Sequence, residues 1–250
     1  MGKMPTLVEM LQAGVHFGHQ TSRWHPKMKP YIFGSRGTIH IVDLEKTQKM
    51  LPEALEYVRS VVARGGNVLF VGTKRQAQPI VRKYAEQCGM PFVTERWLGG
   101  TLTNFPQIKV TLKRLRSLKD QREKGELKKY TKKEQIVLGR EIEEMEHKVG
   151  GIQMLEKPPE AIFVVDIRTE KTAVMEANTT GTKVVAMCDT NVNPSGVHMV
   201  IPTNDDAVKA IEMITRLVAE AVTEGKAEAM RNLKAVEAAK VAATPAKTTA

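Results

Sequence analysis

Short apolar runs rich in β-branched residues recur along the chain and alternate with longer stretches of helical periodicity, the pattern of a parallel sheet covered on both faces. Six runs qualify as strands, at residues 39–42, 68–71, 92–94, 162–165, 184–187 and 199–201. Several are continuously apolar, as strands buried on both sides tend to be. Leu51, Leu55, Val58 and Val62 recur at spacings of four, three and four, which puts them on one helix face that ends at Gly65-Gly66. Pro52 is expected to kink or start that helix. Thr73 is a candidate N-cap for a helix over residues 74–88, with Gly89 as its stop and Pro79 in or near its first turn. Asp205 or Asp206 is the candidate cap of a last helix, whose buried stripe is Val208, Ile211, Leu217, Val218 and Ala221. Past Gly225 the composition shifts to Ala, Lys, Glu and Thr, which predicts a frayed helix and flexible tail over residues 226–250.

Residues 106–149 interrupt the alternation, because no strand signal lies between 92–94 and 162–165. Ile108, Leu112, Leu115 and Leu118 make one narrow seam; Leu138, Ile142, Met145 and Val149 make a second at spacings of four, three and four. Thr131-x-x-Glu134 reads as a capping box opening the second helix, and Gly125 lies in the connection. Two helices with narrow apolar stripes and charged flanks predict an antiparallel coiled-coil hairpin projecting from the body. The expected architecture is therefore a doubly wound α/β domain made of residues 1–105 and 150–225, a hairpin insertion at 106–149, and the tail.

Composition narrows the class. Of the 250 residues 42% are hydrophobic, 26% charged and 5% aromatic, which are globular values. No apolar run approaches the roughly 20 residues a spanning helix needs, and the first ten residues carry no signal-peptide core, so a cytoplasmic chain is expected. Cys88 and Cys188 are far apart and in no metal spacing, which argues against a disulfide framework or a zinc ribbon. Thirty-eight Lys and Arg against 28 Asp and Glu leave a charge of +10, a surplus that favours a polyanion: nucleic acid first, an anionic membrane surface second. The surplus is local. Residues 106–133 hold eleven basic and three acidic side chains, whereas residues 134–149 hold two basic and five acidic ones. Residues 1–40 add five bases against Glu9 alone, together with four histidines.

The motifs weaken the case for an enzyme. No glycine-rich dinucleotide or triphosphate cradle follows any strand, and no nucleophile elbow or Ser-His-Asp grouping can be assembled. Val71-Gly72-Thr73-Lys74-Arg75 could hold a phosphate at a helix start, or could be an ordinary cap followed by solvated bases. Asp166, Asp189, Asp205 and Asp206 follow strands, where an acidic magnesium pocket of the phosphoryl-transfer type would gather; Asp is equally the preferred residue for caps and turns there. His16, His19 and His25 cluster, but a metal site would have to borrow Asp189 or Asp205 through the fold. The stretch from Arg23 to Tyr31 interleaves bases with Trp24 and Tyr31, the mixture that holds phosphates and stacks on exposed bases.

These residues carry a resemblance. Leu11-Gln12-Ala13-Gly14-Val15-His16-Phe17-Gly18-His19, Trp24-His25-Pro26-Lys27-Met28, Ile32-Phe33-Gly34, Val71-Gly72-Thr73-Lys74, Arg96-Trp97-Leu98-Gly99-Gly100-Thr101-Leu102-Thr103-Asn104 and Pro159-Glu160-Ala161-Ile162-Phe163-Val164-Val165-Asp166 stand in order along the chain. Together they resemble the bacterial small-subunit ribosomal protein S-two family over about residues 5–225. The resemblance implies a flavodoxin-like sheet with an inserted coiled-coil hairpin, binding to ribosomal RNA in the small subunit, and help in recruiting the large mRNA-binding ribosomal protein S-one. It covers nothing in the C-terminal tail.

The expected function is a structural, RNA-binding role without catalysis, cofactor, metal or small-molecule substrate. Phosphate contacts are expected from Arg23, Lys27, Lys29, Arg36, Lys74, Arg75 and Arg96, and from the helix face bearing Lys109, Lys113, Arg114 and Arg116. Trp24 and Trp97 are candidates for stacking or for packing. The rival classes are a magnesium-dependent enzyme or receiver built on Asp166, Asp189 and Asp205, and a membrane-surface or coiled-coil adaptor.

Overall fold

The computed structural model describes residues 4–242. Helix α1 (Leu7–Ala13) opens on a capping box between Thr6 and Glu9. Strands β1 (Phe17–Gln20), β2 (Ile32–Arg36) and β3 (Ile39–Val42) form a separate antiparallel sheet in the order β1-β3-β2. Residues 39–42 are thus a strand, but not one of the parallel set. The reason is the two-residue link Gly37-Thr38, with Gly37 at φ 64°, which closes a tight hairpin and leaves no room for the crossover a parallel pair needs.

Helix α2 (Leu44–Ala63) begins where the Asp43 carboxylate accepts the Glu45 and Lys46 amide protons, so Pro52 lies inside the helix rather than at its start. Then follow β4 (Val68–Val71), α3 (Gln78–Cys88), β5 (Phe92–Val93), α4 (Phe105–Glu123), α5 (Lys132–Val149), β6 (Ala161–Val164), α6 (Lys171–Thr180), β7 (Lys183–Cys188), β8 (Met199–Pro202) and α7 (Val208–Ala242). The five later strands pair in parallel in the order β5-β4-β6-β7-β8. The chain starts at β4, adds β5 on one side and then grows to the other, as a doubly wound sheet does, with its switch point between β4 and β6.

Alternation along each strand divides the core in two. Val68, Phe70, Ala161, Phe163, Val185 and Met187 face a cluster with the buried stripes of α2, α3 and α7. Leu69, Val71, Ile162, Val164, Val184 and Ala186 face a second cluster with α6 and the segment from Trp97 to Ile108. That second cluster continues through Leu112, Leu115 and Leu118 of α4 to Leu127 and to Ile142 and Val149 of α5. The two helices are also joined by ion pairs, Arg114 to Glu141 at 2.6 Å and Lys119 to Glu146 at 2.5 Å. Thr131 and Glu134 form the expected capping box. No helix among the described residues is long and apolar enough to cross a membrane.

Two local readings change. Helix α3 starts at Gln78, with Pro79 in its first turn, and Thr73 does not cap it; the Thr73 amide donates instead to Glu170 Oε1 at 2.7 Å. In the turn before α7, Asn204 Oδ1 accepts from the amides of Asp206 (2.7 Å) and Ala207 (3.2 Å), and the carboxylates of Asp205 and Asp206, expected as caps, are on Lys74 instead. The helix runs on to Ala242, past Gly225. A Cβ there would stand 2.6 Å from the Arg59 carbonyl oxygen and 2.9 Å from Val62 Cβ, so the glycine lets α7 cross close over α2. Past it, Lys226 Nζ donates to the carbonyls of Cys88 (2.7 Å) and Gly89 (2.9 Å). The last eight residues of the expected tail, 243–250, lie outside the described residues.

The link from β5 into α4 is held by one buried carboxylate. Glu176 of α6 accepts from Trp97 Nε1 (3.0 Å) and from the amides of Gly100 (2.8 Å), Leu102 (3.0 Å) and Thr103 (3.2 Å), and from Thr103 Oγ1 (3.1 Å). Burial raises its pKa, but these donors outweigh burial and hold it below the usual carboxylate range. Replacing the carboxylate by an amide sets an NH2 against some of those donors, so Glu176→Gln should cost about 2–3 kcal/mol in urea unfolding at neutral pH. Since the folded-state pKa is lowered, the wild-type advantage is present above about pH 4.5 and is lost as pH falls through the folded-state value. A cost under about 0.5 kcal/mol would show that the link is held by its apolar contacts alone.

Candidate nucleic-acid interface

The N-terminal lobe, with its three strands and two short 3-10 turns, is basic by composition: residues 10–42 contain no Asp or Glu. It is attached to the C-terminal ends of the parallel strands by backbone bonds. The amide of Asn204 donates to Val15 O (3.0 Å), that of His25 to Thr190 O (2.8 Å), and that of His19 to Thr190 Oγ1 (2.9 Å). Gly18 is required for this approach, because a Cβ there would meet Thr190 Cγ2 at 2.6 Å. Thr47 Oγ1, at the start of α2, donates to Pro202 O at 2.6 Å and closes the seam from the other side.

Beneath the lobe four carboxylates converge. Asp166 follows β6, Asp189 follows β7, and Asp205 and Asp206 follow β8; Asp166, Asp189 and Asp205 are buried. Lys74 Nζ lies 2.9 Å from Asp205 Oδ1, 2.5 Å from Asp206 Oδ1 and 3.4 Å from Asp166 Oδ2. His19 reaches Asp189 Oδ2 with Nδ1 at 3.1 Å and Asp206 Oδ2 with Nε2 at 3.2 Å. Burial by itself would lower the Lys74 pKa, but the field of Asp205, hydrogen bonds to Asp206 and Asp205, and the field of Asp166 drive it upward. Burial, with the neighbouring Asp166 and Asp189, pushes the Asp205 carboxyl up to about 7 against the pull of Lys74. The hydrogen bond to Asp189 raises His19, burial opposes it, and the charges of Asp189, Asp205 and Asp206 add to the rise.

Ligand atoms of His19, Asp205 and Asp206 lie within 4.8 Å of one another, close enough to share a metal ion. Two of the three histidines noted in the sequence have other roles. His25 Nδ1 accepts the Lys27 amide at 3.2 Å, and the His16 ring packs on Phe17 with centroids 4.0 Å apart. Asp166 is also a turn residue, accepting from the amides of Arg168 (2.8 Å) and Thr169 (3.1 Å). The phosphate cradle considered at Val71–Arg75 has its donors occupied: the Thr73 amide is on Glu170 and the Lys74 ammonium is on the aspartates.

The residues expected to meet RNA fall into three surface groups and one internal position. Arg23, Trp24, Lys27, Lys29 and Arg36 are exposed on the N-terminal lobe, and Lys27 Nζ also donates to Ser195 Oγ at 2.6 Å. Arg75 and Arg96 are exposed on the loops after β4 and β5. Lys109, Lys113, Arg114 and Arg116 are exposed along α4; Lys109 donates to Glu156 O at 3.1 Å and Arg114 pairs with Glu141. Lys113 and Arg116 line an open groove of about 420 Å³ with Lys124. Lys74 is the internal one, spent on three aspartates. Trp97 is buried on Glu176 and packs, whereas Trp24 is 37% exposed.

The seam should give the protein a distinctive pH dependence. Both His19 and Asp205 have raised folded-state pKa values, so each stabilises the fold fully below its unfolded value, 6.5 and 3.8, and loses that contribution as pH rises through the folded value. Urea midpoints should therefore fall as pH rises from about 4 through about 7 as Asp205 titrates, and fall further above pH 6.5 as His19 titrates. His19→Gln should keep only the earlier part of that decline, and His19→Gln with Asp205→Asn should flatten it. An undiminished slope in the double variant would place the titrating groups elsewhere.

A sheet that grows in both directions from β4, a basic lobe clamped across its strand ends and a second set of cations along α4 are the features to be explained. Residues 10–225 match the family model for ribosomal protein S2. The chain belongs to that family, whose members are structural constituents of the small ribosomal subunit in translation and not enzymes.

Proposed function

We propose that the chain binds small-subunit ribosomal RNA through the exposed cations of the N-terminal lobe and of α4. The observation that carries this reading is the distribution of charge: a lobe of 33 residues, 10–42, without one carboxylate, whose exposed cations stand in solvent while the carboxylates beneath it are engaged by Lys74 and His19. A protein that keeps its buried acids paired and its cations in solvent presents net positive potential to a polyanion. Arg23, Lys27, Lys29, Arg36, Arg75, Arg96, Lys109, Lys113 and Arg116 are the phosphate-contact candidates. Arg114, paired with Glu141, and Lys74, enclosed by aspartates, have weaker claims. Residues 106–149 act as a coiled-coil hairpin insertion that carries charge; its capping box and its shared buried seam support that part of the reading.

The test is a salt titration of affinity for small-subunit ribosomal RNA fragments, followed by anisotropy. With about six to eight phosphates neutralised, log affinity should fall with log salt at about 0.7–0.9 per contact. Lys113→Glu with Arg116→Glu should weaken binding and reduce the slope by about two contacts while leaving the unfolding midpoint in place, because both side chains are in solvent. A salt-independent affinity, or a double variant that binds like wild type, would count against the proposed surface.

A further inference from the structure

We propose that the β2–β3 hairpin is a stacking site for unpaired RNA bases, with Phe33 as its principal contact. This rests on the RNA-binding reading above and deepens it, since it names single-stranded nucleotides as the ligand. Phe33 is 80% exposed, far more than any other aromatic side chain among the described residues. It falls at the register irregularity between the pairs Ile32–Val42 and Gly34–Ile41, so it has no partner across the ladder. A bulge is a common device for aiming one side chain away from a sheet. Its ring covers nothing in the core, and the hairpin carrying it closes without help from it, through Gly37-Thr38 and the pair Arg36–Ile39.

The surroundings of Phe33 suit a nucleotide. Arg36 lies three residues on in the same strand, and Arg23 and Lys29 are exposed earlier in the same carboxylate-free segment. Trp24 packs at 5.4 Å, tilted 47°, against His40 of β3, whose two ring nitrogens are buried without a hydrogen-bond partner among the described residues. The lobe thus offers a second aromatic, half-exposed and braced by a ring used purely for packing. Exposed aromatics in a segment with several exposed cations and no carboxylate match the two halves of a nucleotide, a π face and a phosphate. The bases of a duplex are already stacked, so a side chain presented this way gains most from bases that are unpaired.

The full-length protein should be titrated with three labelled probes of equal length: a single-stranded oligoribonucleotide, an abasic ribose-phosphate chain, and an RNA duplex. The single strand should bind about tenfold more tightly than the abasic chain, and Phe33→Ala should remove that preference, since stacking on one aromatic is worth about that factor. Phe33→Trp should restore it. Binding of the abasic chain and the unfolding midpoint should be unchanged by either substitution, and Trp24 fluorescence should respond to the oligonucleotide and not to the abasic chain. If all three probes bind but Phe33→Ala changes none of them, the stacking site is wrong while RNA binding stands, and Phe33 is left for a protein contact. If Phe33→Ala weakens the abasic chain and the single strand equally, the effect is on the backbone path and the inference also falls. If no probe binds even at low salt, the RNA reading itself fails and takes this one with it.

Discussion

The ammonium group of Lys74 is the interaction on which the arrangement depends. It lies at the end of β4 with Asp166, Asp205 and Asp206 around it, and so ties together the ends of three strands, β4, β6 and β8. Four carboxylates this close would repel one another strongly in a water-poor setting, and a buried charge without a partner is among the costliest defects in a fold. Lys74 and His19 reduce the repulsion in different ways. Lys74 comes from the sheet itself, whereas His19 belongs to the N-terminal lobe, so neutralising the acids is the same event as docking the lobe. The backbone bonds from Asn204, His25 and His19 then fix its position.

Glu176 plays the corresponding part on the opposite face. A carboxylate in a helix has no local backbone donors to satisfy it, and here five donors arrive from one loop some 75 residues earlier in the chain, at separations of 73 to 79. The loop wraps the acid and delivers the chain into α4, whose first turns cover the sheet and whose later turns pack with α5. Two internal electrostatic knots thus set the placement of two basic surfaces. In each, the acids are inside and the cations they do not need are outside.

How much of this could be read from the chain depends on whether the signal was local. Four continuous residues, Val68–Val71, are a strand in both readings, and the ends of the later strands differ by about one residue because apolar runs do not mark where pairing stops. The stripe of Leu51, Leu55, Val58 and Val62 and the Thr131–Glu134 box are periodic or short-range features, and the structure contains both. Glycine was ambiguous. Gly225 stands where the composition turns small and polar, and nothing local shows that it answers the Arg59 carbonyl of another helix. Gly37-Thr38 was a hairpin signal passed over in favour of an apolar run. For Lys74 the expectation of an anion was sound and its identity was not, since no local pattern distinguishes a phosphate from aspartates 92 to 132 residues further along. Glu176 has no signal of its own in the sequence, because its donors come from a loop more than 70 residues away.

The position of these knots bears on why a sheet of this topology serves a structural family and not an enzyme. Doubly wound sheets bind their ligands beyond the strand ends at the switch point, which lies here between β4 and β6. The groups that would receive an anion at that place are the Thr73 amide and the Lys74 ammonium. Both are present, and both are held by the protein's own carboxylates, Glu170 and the aspartates. The mouth is further covered by the N-terminal lobe, whose Gly18 sits against Thr190 with no space for a side chain. A site closed in this manner costs solvation energy, visible in the Asp205 carboxyl pushed up to about 7. What it yields is a rigid attachment for the lobe. With that mouth closed, the exposed cations lie elsewhere, on the lobe and along α4, where charge of one sign favours an extended polyanion over a metabolite.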